Sequence, residues 1–362
     1  MLNICIFAGA RPNFIKVAPI IKAIKKAQSE KADMAFKLVF AGTAGDATLE
    51  PSLFDDLQIG RPDVFLGVDS TSLNEITGRV MGEFEKYLDV NATDVVIVVD
   101  DLASTMAAAI VTKKRGIKLA HLVAGTRSFD INMPKEINRL VIDALSDLLF
   151  TAGEGASTIA AREGANLSNV YLVGNILMDT LRSCHNRLRR PAVFDDLHLE
   201  DKRYIVFTIN RHALLANKEN LRAMIDAALQ SAIGMPIVAP LRGTARDTIA
   251  AINPEKEKFI IIDPLPYLEF GYLTAHAAGI VTDSGNVAEE ATFNAVPCAM
   301  LNSYTEHSET VKYGSSVLVG EDAGTLRQAV ADMTAGRWKK CSLPDRWDGR
   351  TAERIIRIIA TL

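Results

Sequence analysis

Five apolar, β-branched residues in a row, Val95-Val96-Ile97-Val98-Val99, run without a polar break into Asp100-Asp101, and a helical stretch follows over 103–114. A strand with no polar side belongs where both faces of a sheet are covered, which is the place of a central strand in a parallel sheet. Parallel neighbours need crossover connections, usually helices. The surrounding sequence supplies them. Strands are expected at 3–7, 37–40, 118–122, 148–151 and 170–173, alternating with helices at about 13–28, 72–88, 103–114 and 134–145. That rhythm is a doubly wound parallel α/β sheet.

A second series repeats it, with strands at 204–208, 236–239, 259–262, 279–282 and 297–301. A chain of 362 residues is about two domains long. The division expected is 1–172 and 173–346, with a C-terminal helix in 347–362 joining the first domain. That helix, over about 351–360, carries isoleucine at 355, 356, 358 and 359 and needs a surface to cover it. Residues 187–203 interrupt the pattern with charge and Pro191, and read as a surface segment after a helix over 176–188. Two such domains facing each other leave a deep cleft, the usual place for a small ligand.

Charge limits what that ligand is. The net charge is −4, with 23% charged and 48% hydrophobic residues. Neither nucleic acid nor an anionic membrane is implied as a partner, so any anion site must be a local arrangement. Cys5, Cys184, Cys298 and Cys341 are scattered with no CxxC spacing. They point to no metal, and Cys5 and Cys298, in apolar runs, read as buried thiols. The sequence enters a strand at once and has no apolar run of membrane-spanning length, so a cytoplasmic protein is expected.

Local arrangements able to hold an anion are present. Residues 279–297, GIVTDSGNVAEEATFNAVP, read as strand, Thr282-Asp283-Ser284-Gly285 turn and helix. Such a turn aims unpaired backbone N–H groups and a helix dipole at one point, which suits a phosphate, while Glu289 or Glu290 reaches a sugar hydroxyl. An ordinary N-capped helix is the other reading, and the residues alone leave both open. Near the N-terminus, Gly9 lets the backbone pass close to a ligand, Pro12 suits a first helical turn, and Arg11 and Lys16 bring positive charge. Asp100-Asp101 either faces the ligand crevice at a strand's carboxyl end or caps the next helix. Asp283 reads as a turn and capping residue, His121 as a structural hydrogen-bonding group, and His185 and His198 as solvated. GxSxG, Walker A, HExxH and dinucleotide fingerprints are all missing from the sequence, which excludes a nicotinamide enzyme.

Six stretches in order carry a more specific signal: FAGARPNFIKVAPII, HLVAGTRSFDINMPKEINRLVIDALSDLLF, VGNILMDTL, DPLPYLEF, TDSGNVAEE and WDGRTAERI. Together they resemble the non-hydrolysing UDP-N-acetylglucosamine 2-epimerases, from about residue 7 to 355. The resemblance implies a GT-B architecture, two Rossmann-like domains around a nucleotide-sugar cleft. It also implies a cytoplasmic homodimer serving surface polysaccharide synthesis, with no metal or organic cofactor. Enzymes of that family invert C2 by eliminating UDP to leave a 2-acetamidoglucal and adding it back on the other face. That reaction needs an acid and a base at C2 and support for the departing diphosphate.

Carried over position by position, the resemblance gives Ser284 and Gly285 to the diphosphate, Glu290 to the ribose, and Arg11 and Lys16 to the GxRPxxxK segment. Asp101 falls on the catalytic aspartate, with Asp100 where the family has glycine. Other positions differ. Val123 and Lys135 stand where the family has catalytic glutamates, with Glu136 beside the second. Asn210 replaces a histidine, with His212 two residues on, and His307 replaces a phosphate-contacting arginine. Thr43-Ala44-Gly45-Asp46 and Arg242-Gly243-Thr244-Ala245 replace two further segments. Each loss from a proton-transfer set typically costs about 10²- to 10⁴-fold. Three functions follow as expectations. One is a weak UDP-sugar epimerase using Asp101, Glu136 and His212. Another is a non-catalytic nucleotide-sugar binder or partner of a paralogous epimerase. The third is a transferase-like or hydrolytic reaction on the same scaffold.

Overall fold

The Val95–Val99 run is the middle strand of a seven-stranded parallel sheet. In the computed structural model, which describes residues 1–252, 255 and 257–362, that sheet comprises β1 (Leu2–Ala8), β2 (Met34–Phe40), β3 (Val64–Phe65), β4 (Val95–Val99), β5 (Lys118–Ala124), β6 (Leu148–Thr151) and β7 (Val170–Leu172). The spatial order is 3-2-1-4-5-6-7. All five β4 residues are buried, as a strand covered on both faces must be. Phe7, Val96, Val98, Phe84, Tyr87 and Ile142 belong to a core on one side of this sheet.

A second parallel sheet holds β8 (Ile205–Thr208), β9 (Ile237–Pro240), β10 (Phe259–Ile262), β11 (Gly279–Thr282), β12 (Cys298–Met300) and β13 (Ser316–Leu318). Its order, 10-9-8-11-12-13, repeats the 3-2-1-4-5-6 order of a Rossmann-like sheet. Alternate β8 residues enter two different cores, Ile205 and Phe207 one and Val206 the other, so both faces are covered. Cys5 and Cys298 are buried thiols, both pushed up to about 12 by burial.

The chain forms two units, Met1–Ser183 with Asp345–Leu362, and Cys184–Pro344. The break after 172 read from the sequence therefore differs: the helix Ile176–Cys184 lies almost wholly in the first unit. Asp179 on that helix shows why. Its carboxylate accepts from the backbone N–H groups of Thr351 (3.1 Å) and Ala352 (2.8 Å), capping the C-terminal helix Thr351–Ile359. Thr180 donates to the carbonyl of Ile15 at 2.5 Å. The C-terminal helix covers Ile355, Ile356 and Ile359 within this unit, beside the helix Arg11–Ser29. Residues 187–203 are more than a surface segment, because Phe194 and Leu199 enter the second unit's core.

Candidate functional site

In a sheet of this order the crevice opens where the strand order reverses, at the carboxyl ends of β1 and β4 in the first unit. There β1 delivers Gly9-Ala10 into the helix Arg11–Ser29, and β4 delivers Asp100-Asp101. A side chain at Gly9 would meet Ser104 and Leu102, so the approach requires glycine. The Asn13 carboxamide oxygen accepts from Gly9 N (2.8 Å) and Ala10 N (3.1 Å), and its Nδ2 donates to Asp100 at 2.9 Å. Asp100 sits at φ 57°, a left-handed conformation aspartate tolerates better than most residues. Its other oxygen receives the buried Lys16 Nζ at 2.6 Å. Arg11 is paired with Glu50 at 3.2 Å. The two cations expected for a ligand thus have carboxylate partners.

Asp101 is more tightly held. The helix Pro134–Leu145 presents Lys135 Nζ at 3.5 Å and Arg139 Nη2 at 2.6 Å to its carboxylate, while Asn138 donates to its carbonyl at 2.8 Å. Burial pushes the Asp101 carboxyl up, but the Lys135 and Arg139 charges outweigh it and hold the group below its ordinary range. Glu136, expected as a possible acid or base, is occupied. It accepts from Ser128 N (2.9 Å), Ser128 Oγ (2.8 Å), Phe129 N (3.0 Å) and Arg139 (3.0 Å). Against the upward push of burial, those bonds hold Glu136 low as well.

Val123 lies in an irregularity of the β5–β6 pairing at φ 72°, a conformation β-branched residues rarely take. Such strain persists only where the surroundings over-determine it. Asp143 supplies the surroundings, accepting from Gly125 N (3.0 Å) and pairing with Arg127 (2.7 Å) and His121 Nδ1 (2.6 Å). His121 Nε2 reaches the Asp100 carbonyl at 3.1 Å, so this histidine ties the β4 and β5 loops together.

The second unit's reversal point lies between β8 and β11, whose Thr208 and Thr282 hydroxyls meet at 2.7 Å. Asp283 caps the opposite loop rather than its own turn, accepting from Asn210 N (2.8 Å) and Arg211 N (2.6 Å). Arg211 bonds Asn302 at 2.8 Å and pairs with Glu321. Ser284 is the N-cap of the helix Gly285–Phe293, with a long 3.5 Å bond from Val287 N. The His307 ring lies over the start of that helix: a Cβ on Gly285 would fall 2.7 Å from its Cδ2 and 2.8 Å from its Nε2. Glu289 Oε1 holds the other His307 nitrogen at 2.9 Å. Glu290 is buried beside Glu289, and burial, then the Glu289 charge, raise it to about 8. Asn210 and His212 are exposed, the latter opening the helix His212–Ala216.

The sequence assigns no role to Arg139, Asn138 or Asn13, and it does not reveal that Glu289 and His307 pair. Arg139 had a signal, since it stands three residues after Glu136 and four after Lys135 on one helix face. Among the described residues, no cluster of histidine, cysteine or acidic side chains could hold a metal, and no helix is long and apolar enough to cross a membrane.

The model of the family described as UDP-N-acetylglucosamine 2-epimerase matches residues 26–360. A "UDP-N-acetylglucosamine 2-epimerase homolog" of Methanococcus maripaludis is 35% identical over 91% of this chain and 92% of its own. The UDP-2,3-diacetamido-2,3-dideoxy-D-glucuronate 2-epimerase of Pseudomonas aeruginosa is 32% identical over 88% of each chain. Among solved structures, UDP-GlcNAc 2-epimerase of Methanocaldococcus jannaschii in complex with UDP-GlcNAc and UDP superposes with TM-score 0.87. It is 32% identical and covered, like this chain, over 100% of its length.

Proposed function

The chain belongs to the UDP-N-acetylglucosamine 2-epimerase family, and from that premise we propose that it binds a UDP-sugar while inverting C2 very slowly or not at all. One observation carries the second half. Asp101, at the position of the family's catalytic aspartate, is clamped by Arg139 at 2.6 Å and Lys135 at 3.5 Å. A carboxylate held below its ordinary range is a weak proton acceptor and is seldom protonated to act as a donor. Val123 cannot carry a proton, and Glu136 is spent on the 128–129 loop.

Support for binding comes from the second unit. Ser284 and Gly285 open a helix whose first N–H groups favour an anion, and His307 adds a nitrogen beside them. In this reading the diphosphate lies on Ser284-Gly285, and Glu290, a neutral acid near pH 7, offers a proton to a ribose oxygen. Arg11 and Lys16 serve the sugar-diphosphate only if they exchange partners with Glu50 and Asp100. The protein works as a cytoplasmic homodimer in surface polysaccharide synthesis, either as a weak isomerase or as a binding partner of a competent paralogue.

Proton NMR of UDP-GlcNAc with the protein in D₂O, beside a calorimetric UDP titration, tests this. UDP binding with no deuterium at C2 is the expected outcome. Brisk C2 exchange would mean that Asp101, Glu136 and His212 form a working set, and no UDP binding would remove the phosphate site. Free UDP appearing with a new sugar product would replace epimerisation by transfer or hydrolysis.

A further inference from the structure

Arg11 and Lys16, the two cations on the helix Arg11–Ser29 that could serve a ligand, are held in different ways. The Arg11–Glu50 pair is partly open to water, the Glu50 side chain being 44% exposed, so solvent screens it and a competing anion displaces it easily. The Lys16 side chain is 6% exposed and that of Asp100 18%. Their 2.6 Å contact lies where water does little to offset its loss. Asp100 is fixed from three further directions. Asn13 Nδ2 donates to its second oxygen at 2.9 Å, its backbone N–H donates to the Leu122 carbonyl at 3.3 Å, and His121 Nε2 meets its carbonyl at 3.1 Å. The Asn13 oxygen meanwhile occupies the N–H groups of Gly9 and Ala10. Donors gathered where the helix begins are thus turned on the protein's own groups, and a carboxylate stands on the buried ammonium. The turn itself does not ask for that carboxylate. At φ 57° glycine sits without steric penalty, and aspartate is merely tolerated. What aspartate adds over glycine is the charge against Lys16 and the bond from Asn13.

We infer that Asp100 is a specificity-determining residue, an internal counter-ion that keeps a diphosphate off Lys16. The diphosphate as ligand class rests on the UDP-sugar reading above; the closure of Lys16 does not. Carboxylate and phosphate oxygens accept the same ammonium N–H bonds, so the two compete for one place. A ligand anion gains Lys16 only after the Asp100 side chain rotates away, because the Asp100 backbone is pinned at both its N–H and its carbonyl. The carboxylate so displaced then needs water or another donor. Asp101 is no substitute partner for Lys16, since Arg139 at 2.6 Å and Lys135 at 3.5 Å already hold its carboxylate. With glycine in place of Asp100, the buried ammonium is left short of a counter-charge, which an added anion supplies.

Thermal melts of the full chain in millimolar inorganic pyrophosphate at constant ionic strength test the inference, with UDP titrated separately by calorimetry. Wild type, Asp100→Gly and Asp100→Gly/Lys16→Met are compared. Pyrophosphate should raise the melting temperature of Asp100→Gly by about 3 °C more than that of wild type. Its affinity for that variant should be about tenfold tighter, the worth of a charge-assisted bond. Both gains should vanish in Asp100→Gly/Lys16→Met, which removes the two partners together and leaves no buried charge unpaired. Pyrophosphate lying on Ser284-Gly285 would shift all three chains alike, so the difference belongs to Lys16. Equal shifts in wild type and Asp100→Gly, or a gain that survives the loss of Lys16, overturn the inference. Should Asp100→Gly fail to fold, Asp100→Asn decides it in the same way, since asparagine is uncharged and tolerates the same left-handed backbone. A wild type that binds no UDP removes the UDP-sugar reading, whereas the pyrophosphate comparison decides the role of Asp100 without it.

Discussion

At the carboxyl ends of β1 and β4 the first unit gathers Asp100, Asp101, Lys16, Lys135, Arg139 and Glu136 into a network in which every charge has an opposite one within 3.5 Å. At the same place in the second unit, between β8 and β11, stand a helix start, a serine, a glycine, a histidine and a buried neutral acid. The strand order is common to both. The contents set the chemistry: a paired ionic cluster resists both proton exchange and foreign charge, whereas unpaired N–H groups at a helix start accept an anion without first losing a partner. One reversal point is closed on itself, and in the proposed reading the other receives the diphosphate.

Replacing Arg139 should break that contrast most severely. Arg139→Met leaves Asp101 and Glu136 buried without their shared guanidinium, and losing one partner of a buried ion pair costs about 3–5 kcal/mol. Arg211→Met in the second unit removes a half-exposed pair with Glu321 and should cost about 1 kcal/mol or less. Urea unfolding of the two variants measures both. Equal losses would mean that the first unit's cluster is no more consequential than a surface pair.

Glu290 sharpens the comparison through pH. Its folded value, raised to about 8, exceeds that of an ordinary glutamate, so the folded chain holds a proton that the unfolded chain releases from about pH 4.5 upward. By linkage, its stabilising protonation is fully present below the unfolded value and is lost as pH rises toward 8. Glu290→Gln removes this dependence. Ligand-free thermal melts should therefore favour the variant increasingly from pH 5 to pH 8, by up to a few kcal/mol. A constant difference would mean that Glu290 is ionised in the fold. Asp101 has the opposite sign: held low, its stabilisation is present at neutral pH and lost as pH falls through its folded value.

Much of this framework is legible in the residues. The β4 run, the helix over 134–145 and the strand over 279–282 coincide with the elements found, because uninterrupted apolar runs and sharp turn signals leave little choice. The edge strands Val64–Phe65 and Ser316–Leu318 escaped, since two or three residues have no period to read. The same locality governs the site. Asp101 at a strand end and Ser284 at a helix start announce themselves through their immediate neighbours. That Lys135 turns toward Asp101, that Glu136 is consumed by the Ser128 loop, and that Asp283 caps the loop after β8 depend on how separate strands and helices are set side by side. Asp100 shows the two levels meeting, for its left-handed backbone conceals a pairing with Lys16 that sequence spacing alone does not reveal.

The smallest effect decides what Ser284 is for. As an N-cap it accepts from Val287 at 3.5 Å, a bond too long to contribute much. Ser284→Ala should then cost about 0.5 kcal/mol, the low end for cap removal. As a phosphate ligand, the same hydroxyl would lose a charge-assisted bond to the diphosphate, worth roughly 1.5 kcal/mol or a little over tenfold in affinity. The two roles therefore predict opposite rankings in one variant. A UDP affinity lowered about tenfold with a melting temperature shifted by 2 °C or less assigns the hydroxyl to the ligand. Unchanged affinity with the larger loss in stability would return Ser284 to the helix, and the second unit's open reversal point would then have to bind through its backbone and His307 alone.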